Sequence, residues 1–238
     1  MSEPTPTATP RFPVRGTALV GTATGATALL VGLADSARER DGVAGVDPHV
    51  ATLVVQDRSA SLTALAHALT WLGSEVVVGA VAVLVLALLL LRRQVFSGVV
   101  LALAMGGSAF LTVAVKLLVG RARPGAVDRL GPVDASYSFP SGHTLNTTVL
   151  LAVLVWLCWS RASRGRTALA AGAVALAVGV GASRIYLGYH WTTDVVASAL
   201  VALAWLSVVA LLAGPVRRVL ARAPLPGRLG SEPSRRVA

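Results

Sequence analysis

Six stretches of nearly uninterrupted apolar sequence, at residues 16–34, 71–91, 95–115, 144–160, 167–183 and 195–213, constrain this chain more than any other feature. A hydrocarbon core of about 30 Å takes roughly 17 to 25 helical residues to cross, because each residue rises about 1.5 Å. Every stretch reaches or approaches that length. The expected fold is therefore all-α, a multi-pass transmembrane helical bundle with six spans. Buried helices of soluble proteins also give apolar runs. Six of them in 238 residues, with 55% hydrophobic residues, 13% charged residues and a mean hydropathy of +0.71, leave too little polar surface for a soluble domain. The second stretch carries Glu75 near its start, and the fourth and fifth are short, so their ends are less defined than their existence.

The net charge of +10 raises the question of nucleic acid, but the cations form no basic domain. They punctuate the apolar stretches: Arg11 and Arg15 precede the first, Arg92 and Arg93 follow the second, Arg161, Arg164 and Arg166 part the fourth from the fifth, and Arg217, Arg218 and Arg222 follow the sixth. Positive charge marks cytoplasmic loops, and these clusters alternate correctly for six crossings with both termini in the cytoplasm. The connections 35–70, 116–143 and 184–194 then face outward. The partners expected are a membrane and its lipids, not nucleic acid; oligomeric state is not readable. The first stretch, 19 residues without charge, exceeds the core of a secretory signal and reads as a retained anchor. The lone Cys158 allows neither an intramolecular disulfide nor a cysteine zinc site.

Residues 1–14, with four prolines, and 215–238, rich in Arg, Pro and Gly, read as flexible tails around a membrane domain at 15–214. Within the first outward connection, Leu62, Leu65, Leu69 and Leu72 recur at helical spacing behind the polar run Gln56 to Ser59. That pattern over 48–70 suits one amphipathic helix lying along the interface, as a lid or packing element.

Three clusters at the outward ends carry chemistry. In the first, Lys116, the only lysine, precedes Arg123-Pro124 by seven positions, a spacing that sets both cations on one helical face within reach of one anion. Taken alone, the pair also suits snorkelling at a membrane boundary, and Arg121 and Arg129 read that way too. The second, Phe139-Pro140-Ser141-Gly142-His143, opens the fourth stretch. Free amides at a helix start bind anions, Ser141 adds a hydroxyl, and a plain N-cap explains the serine and glycine but not His143. The third holds Ser183-Arg184, then His190 and Asp194. A carboxylate four residues after a histidine at a helix start can hold one imidazole nitrogen and leave the other free to attack. Asp194 at a membrane boundary also needs a cationic or hydrogen-bonded partner.

Three cations, a helix start with a hydroxyl, two histidines and one carboxylate suit phosphoryl transfer, in which fixed positive charge stabilises the equatorial oxygens. The outward face offers only Asp128 and Asp134 as further acids in its central loop, so a mechanism without metal or other cofactor is expected. Chemistry alone would allow either His143 or His190 to attack; the carboxylate beside His190 favours the latter.

Lysine, six residues and Arg-Pro, then Pro-Ser-Gly-His, then Ser-Arg, five residues, His, three residues and Asp, resembles the three-part signature of the type 2 phosphatidic acid phosphatase superfamily, whose soluble relatives include vanadium haloperoxidases. The resemblance covers 116–194 and departs at no signature position; outside it, Ser198 stands where many relatives have glycine. It implies a membrane lipid phosphatase working through a phosphohistidine. His190 is implied as nucleophile, Asp194 as its orienting carboxylate, and His143 as general acid and then general base. Lys116, Arg123, Ser141, Gly142 and Arg184 are implied as the phosphate cradle. Polyprenyl diphosphate, phosphatidic acid, phosphatidylglycerophosphate and lipid sugar phosphates all remain open as substrates. A non-catalytic lipid-phosphate carrier and a vanadium peroxidase are the rival readings; intact catalytic positions oppose the first, and membrane spans the second.

Overall fold

A computed structural model describes residues 16–159 and 165–222, which contain helices and no strand. Helix α1 spans Gly16–Glu39, and a 3₁₀ turn at Gly42–Val46 leads into α2, Asp47–Gln56. Then come α3 (Ala60–Leu72), α4 (Glu75–Leu91), α5 (Val95–Val119), α6 (Gly142–Trp159), α7 (Arg166–Tyr186) and α8 (Thr192–Arg222). Five of these helices, α1 and α5 to α8, are long and apolar enough to cross a membrane. The sixth crossing requires α3 and α4 to be taken together, bent by 41° at the break between them.

The core lies where α5, α6 and α8 meet, around Leu101, Leu145, Val149 and Val201. Gly107 makes that meeting possible, since a Cβ there would lie 1.9 Å from the Trp205 ring, whose Nε1 donates to the Ala104 carbonyl at 2.9 Å. Outward-facing side chains are as apolar as the core: Val76 and Leu91 are each 80% exposed, and Phe110 is 70% exposed. Water would not tolerate that surface over whole helices, but acyl chains do.

Three boundaries differ from the sequence reading. The single amphipathic helix expected over 48–70 is two helices, α2 and α3, parted at 57–59. Asp and Ser there compete with the backbone for hydrogen bonds, and Ser59 Oγ instead caps α3 by accepting from the Leu62 amide at 3.3 Å. The stretch 71–91 is likewise interrupted: Trp71 and Leu72 close α3, and α4 begins at Glu75 behind Ser74, whose Oγ accepts from the Val77 amide at 3.3 Å. Gly73 turns between them because α7 approaches too closely for a side chain; a Cβ would lie 2.4 Å from Val180 Cγ1.

The third difference is at the C-terminus, where 215–222, expected to be tail, continue α8. Pro215 removes one backbone donor, a loss a membrane helix tolerates. Arg217 then lies over the Phe96 ring at 4.6 Å and fastens these turns to the start of α5. Residues 1–15, 160–164 and 223–238, including Arg11, Arg15, Arg161, Arg164, all of the expected N-terminal tail and most of the C-terminal one, lie outside the described residues. Arg93 follows α4, Arg166 begins α7 at the end away from Arg184, and Arg217 lies in the last turns of α8, away from Asp194.

Candidate active site

The cradle is built from helix ends. Lys116 stands in the last turn of α5, and Gly120, left-handed at φ 65°, ends the helix so that Arg121 and Arg123 leave its axis. The returning loop meets them. Lys116 Nζ donates to Ser136 Oγ at 2.8 Å and to the Tyr137 carbonyl at 2.5 Å. Arg123 donates to the carbonyls of Ser136 and Tyr189, at 2.8 and 2.7 Å, and pairs with Asp134 at 2.6 Å. Burial lowers the Arg123 pKa, against the pull of Asp134. Burial alone would raise the Asp134 carboxyl, but hydrogen bonds from Ser136 and the charge of Arg123 hold it below the ordinary carboxylate value.

The other two clusters converge on the same end. Ser141 and Gly142 are buried at the start of α6, and the Ser141 amide donates to the Asp194 carbonyl at 3.3 Å. Ser198 Oγ donates to the carbonyls of both Ser141 and Asp194, at 2.9 and 2.8 Å, so a serine at this position ties the start of α6 to the start of α8. Arg184, at the end of α7, is buried with its guanidinium 4.0 Å from the centre of the Tyr189 ring and Nη1 donating to Thr70 Oγ1 at 2.8 Å. Its Nε has no acceptor among the described residues, although it is buried. An unpartnered guanidinium N–H in such a place is costly unless an anion completes it.

His190 is fixed by its backbone before its side chain. The amides of Tyr189 and His190 both donate to the Arg184 carbonyl, at 3.0 and 3.2 Å, which curls the chain tightly after α7. Gly188 makes the curl, at φ 76°, and a Cβ there would lie 2.6 Å from the Asp128 carbonyl oxygen. The ring then has Nδ1 towards Asp194 Oδ2 and Ser138 Oγ, each at 3.4 Å, and Nε2 3.2 Å from Arg123 Nη1. Since arginine can only donate, Nε2 carries the lone pair and Nδ1 the proton. Burial lowers the His190 pKa to about 4, reinforced by Arg123 and Arg184 and opposed by Asp194, so the ring is neutral at physiological pH. His143, in the first turn of α6, is half-buried and lies within electrostatic reach of Arg184, His190 and Arg123.

All eight residues singled out from the sequence thus gather at one end of the bundle, and the structure adds residues that the motifs did not. Ser138, fully buried, donates to Asp194 Oδ2, which also accepts from the Trp191 amide at 2.8 Å. Arg121, read from the sequence as a snorkelling cation, is instead buried and pairs with Asp194 Oδ1 at 2.6 Å and with Asp47 Oδ2 at 2.7 Å. The reason is its place after Gly120, which sends it inward beneath Trp191 and not up the helix surface. Asp194 itself was the only available signal, because a boundary carboxylate demands a partner; nothing in the sequence said which cation would serve. Glu75 also faces the cradle, its Oε1 3.8 Å from where a Cβ on Gly142 would lie.

Comparison with known proteins agrees with this architecture. The family model described as PAP2 superfamily matches residues 97–218, half the chain, and the chain belongs to that superfamily. Phosphatidylglycerophosphatase B of Bacillus subtilis (strain 168) is 27% identical over 160 residues, covering 65% of this chain and 77% of that protein. The protein of the same name from Escherichia coli (strain K12) is 36% identical over 80 residues, and there the match spans only 30% of the relative's length. Among solved structures, a transmembrane PAP2-type phosphatidylglycerolphosphate phosphatase from Bacillus subtilis superposes with a TM-score of 0.66 at 24% identity, over 86% of this chain and 98% of that one. LpxE of Aquifex aeolicus superposes with a TM-score of 0.56 at 24% identity, over 70% and 94% respectively. These likenesses make the chain a multi-pass membrane protein of the PAP2 fold.

Proposed function

We propose that this protein is a membrane phosphatase that hydrolyses a lipid phosphate or diphosphate through a phosphohistidine at His190. The observation that carries the reading is the state of that ring: neutral, backed by Asp194 at Nδ1, with the lone pair of Nε2 turned to Arg123. Nε2 attacks phosphorus while the bond to the lipid oxygen breaks, and His143 supplies the proton that the departing alkoxide takes up. Water then attacks the same phosphorus, His143 receives its proton, and the phosphorus–nitrogen bond opens to release phosphate. Lys116, Arg123 and Arg184, with the hydroxyl of Ser141 and the amide of Gly142, stabilise the equatorial oxygens. The unpartnered Nε of Arg184 suits an anionic ligand.

A lipid is favoured over a soluble ester by what borders the cradle. An open apolar cavity of about 390 Å³, lined by Val54, Leu62, Leu65, Leu69, Ser183 and Ile185 among others, runs along α2, α3 and the end of α7 and can take an acyl or prenyl chain. The names of the curated relatives point to phosphatidylglycerophosphate as the first substrate to try. The protein resides in the cell membrane with both termini cytoplasmic and the site on the outer side, a reading supported by arginines near the opposite helix ends.

Phosphate release by the purified protein from a panel of lipid mono- and diphosphates tests the activity. Release is expected to persist in a chelator and to be blocked by vanadate, which adopts the trigonal-bipyramidal shape of the transition state. Loss in chelator with recovery on adding one divalent ion would contradict the metal-free mechanism. For orientation, Asp134→Cys and Ser163→Cys in a Cys158→Ser background report through an impermeant thiol reagent on intact cells. Labelling at 134 alone supports an outer site, and labelling at 163 alone reverses it.

A further inference from the structure

A buried run of ion pairs leads from the carboxylate behind His190 to the segment that opens α2. Arg121 donates from Nη1 to Asp194 Oδ1 at 2.6 Å and to Thr193 Oγ1 at 2.7 Å, and from Nη2 to Asp47 Oδ2 at 2.7 Å. Asp47 accepts in addition from the Thr193 amide at 3.1 Å and from the Thr193 hydroxyl. Asp47, Arg121 and Asp194 are 1%, 8% and 0% exposed, and the Trp191 ring lies 5.6 Å from the Arg121 guanidinium.

Stability is a weak reason for such an arrangement, because apolar replacements of buried ion pairs are often neutral or better. Its charge arithmetic is a stronger one. A guanidinium paired with Asp194 alone would neutralise that carboxylate and draw it away from the imidazole. Shared between Asp47 and Asp194, it leaves one net negative charge, and Asp194 Oδ2, which accepts from Ser138 and the Trp191 amide, stays turned to His190 Nδ1. The geometry agrees, since Arg121 occupies only Oδ1 and the side facing His190 is Oδ2. Asp47 also lies outside residues 97–218, the region that the superfamily model matches.

We infer that Asp47, acting through Arg121 and Thr193, is a positioning residue for the His190–Asp194 pair, so that a residue from the N-terminal segment sets how fast His190 is phosphorylated. This rests on His190 being the nucleophile. Asp47 touches neither phosphate nor the reacting nitrogen; it governs where the Asp194 carboxylate sits and how much of its charge the imidazole feels.

The test uses the full chain in detergent micelles and two measurements on each variant. One is the rate of phosphoenzyme formation in a single turnover of p-nitrophenyl phosphate, quenched in alkali. The other is the inhibition constant of inorganic phosphate, which reads the cradle alone. Asp47→Asn is expected to slow phosphorylation about 10- to 100-fold and Thr193→Val several-fold, with phosphate inhibition within about threefold of wild type and partial recovery in Asp47→Glu. Rates within about twofold of wild type overturn the inference, and so does a parallel loss of phosphate affinity, which marks a generally loosened site. Should Asp47→Asn fail to fold, Thr193→Val is read by the same two criteria. A wild-type protein that turns over without forming a phosphoenzyme instead overturns the proposed mechanism, and this inference with it.

Discussion

The two halves of this chain contribute to the site in different ways. From α5 onward come the groups to which the proposed mechanism gives contact with phosphate or exchange of a proton: Lys116, Arg123, Ser141, Gly142, His143, Arg184 and His190, each at a helix end or in an adjoining loop. From the segment before α5 come props. Asp47 holds Arg121, Thr70 accepts from Arg184, and Arg58 donates to the carbonyls of Tyr186 and Asp128, at 2.7 Å each, fastening the loop between α5 and α6 to the end of α7. Chemistry needs fixed residue types at fixed spacing, whereas a prop needs only to arrive. Substitutions should therefore divide by half: the later half fails in chemistry, the earlier half in rate, affinity or stability.

The largest effect belongs to His190→Ala, which is expected to lower turnover by about 10⁴-fold or more and to leave no phosphoenzyme. His143→Ala should spare phosphorylation by an activated aryl phosphate while slowing release of a poor leaving group, a split that rapid-quench kinetics reads directly. Asp194→Asn should cost about 10²- to 10⁴-fold in rate. The pairing of Asp194 with buried Arg121 adds an expected stability loss of about 1 to 3 kcal/mol, visible in thermal unfolding.

Gly188→Ala comes next, because its left-handed backbone and the Asp128 carbonyl 2.6 Å from a new Cβ force the loop before His190 to shift. Activity should fall about 10- to 100-fold, since small displacements of a reacting group are severe. Thr70→Val should raise KM a few-fold with little change in kcat, by releasing one arm of Arg184. Arg58→Ala should cost about 1 to 3 kcal/mol of stability and less than about threefold in kcat. Should Arg58→Ala cost as much activity as Gly188→Ala, Arg58 is more than a prop for its loop.

The smallest effect is one of pH. With its pKa lowered to about 4 by burial, against an ordinary 6.5, His190 stays neutral in the native chain where the unfolded chain takes a proton. Stability should then decrease as pH falls from 6.5 towards about 4, and His190→Gln should lose that part of the slope. Equal slopes in both proteins would show that the ring is not buried as described.

What was legible in the sequence follows the same division. The spans could be read because a bilayer imposes length and apolarity on every crossing, and the eight candidate residues could be named because helix starts, cations and a His-Asp pair stand at spacings that suit a single anion. The breaks at 57–59 and 73–74 were missed because a helical period runs through them; only capping serines and the approach of Val180 to Gly73 decide otherwise. Arg121 was misread and Asp47 passed over for a related reason. Their partnership joins positions 74 apart in sequence and depends on how Gly120 turns the chain, which no local pattern records.

One measurement bears most directly on the central claim: the location of phosphate on the protein caught during turnover. Quenched in alkali, digested without acid and read by mass spectrometry, the protein incubated with a lipid phosphate should carry phosphate on His190, and none after His190→Ala. Phosphate found on His143, or undiminished turnover with no phosphorylated residue at all, would contradict the account.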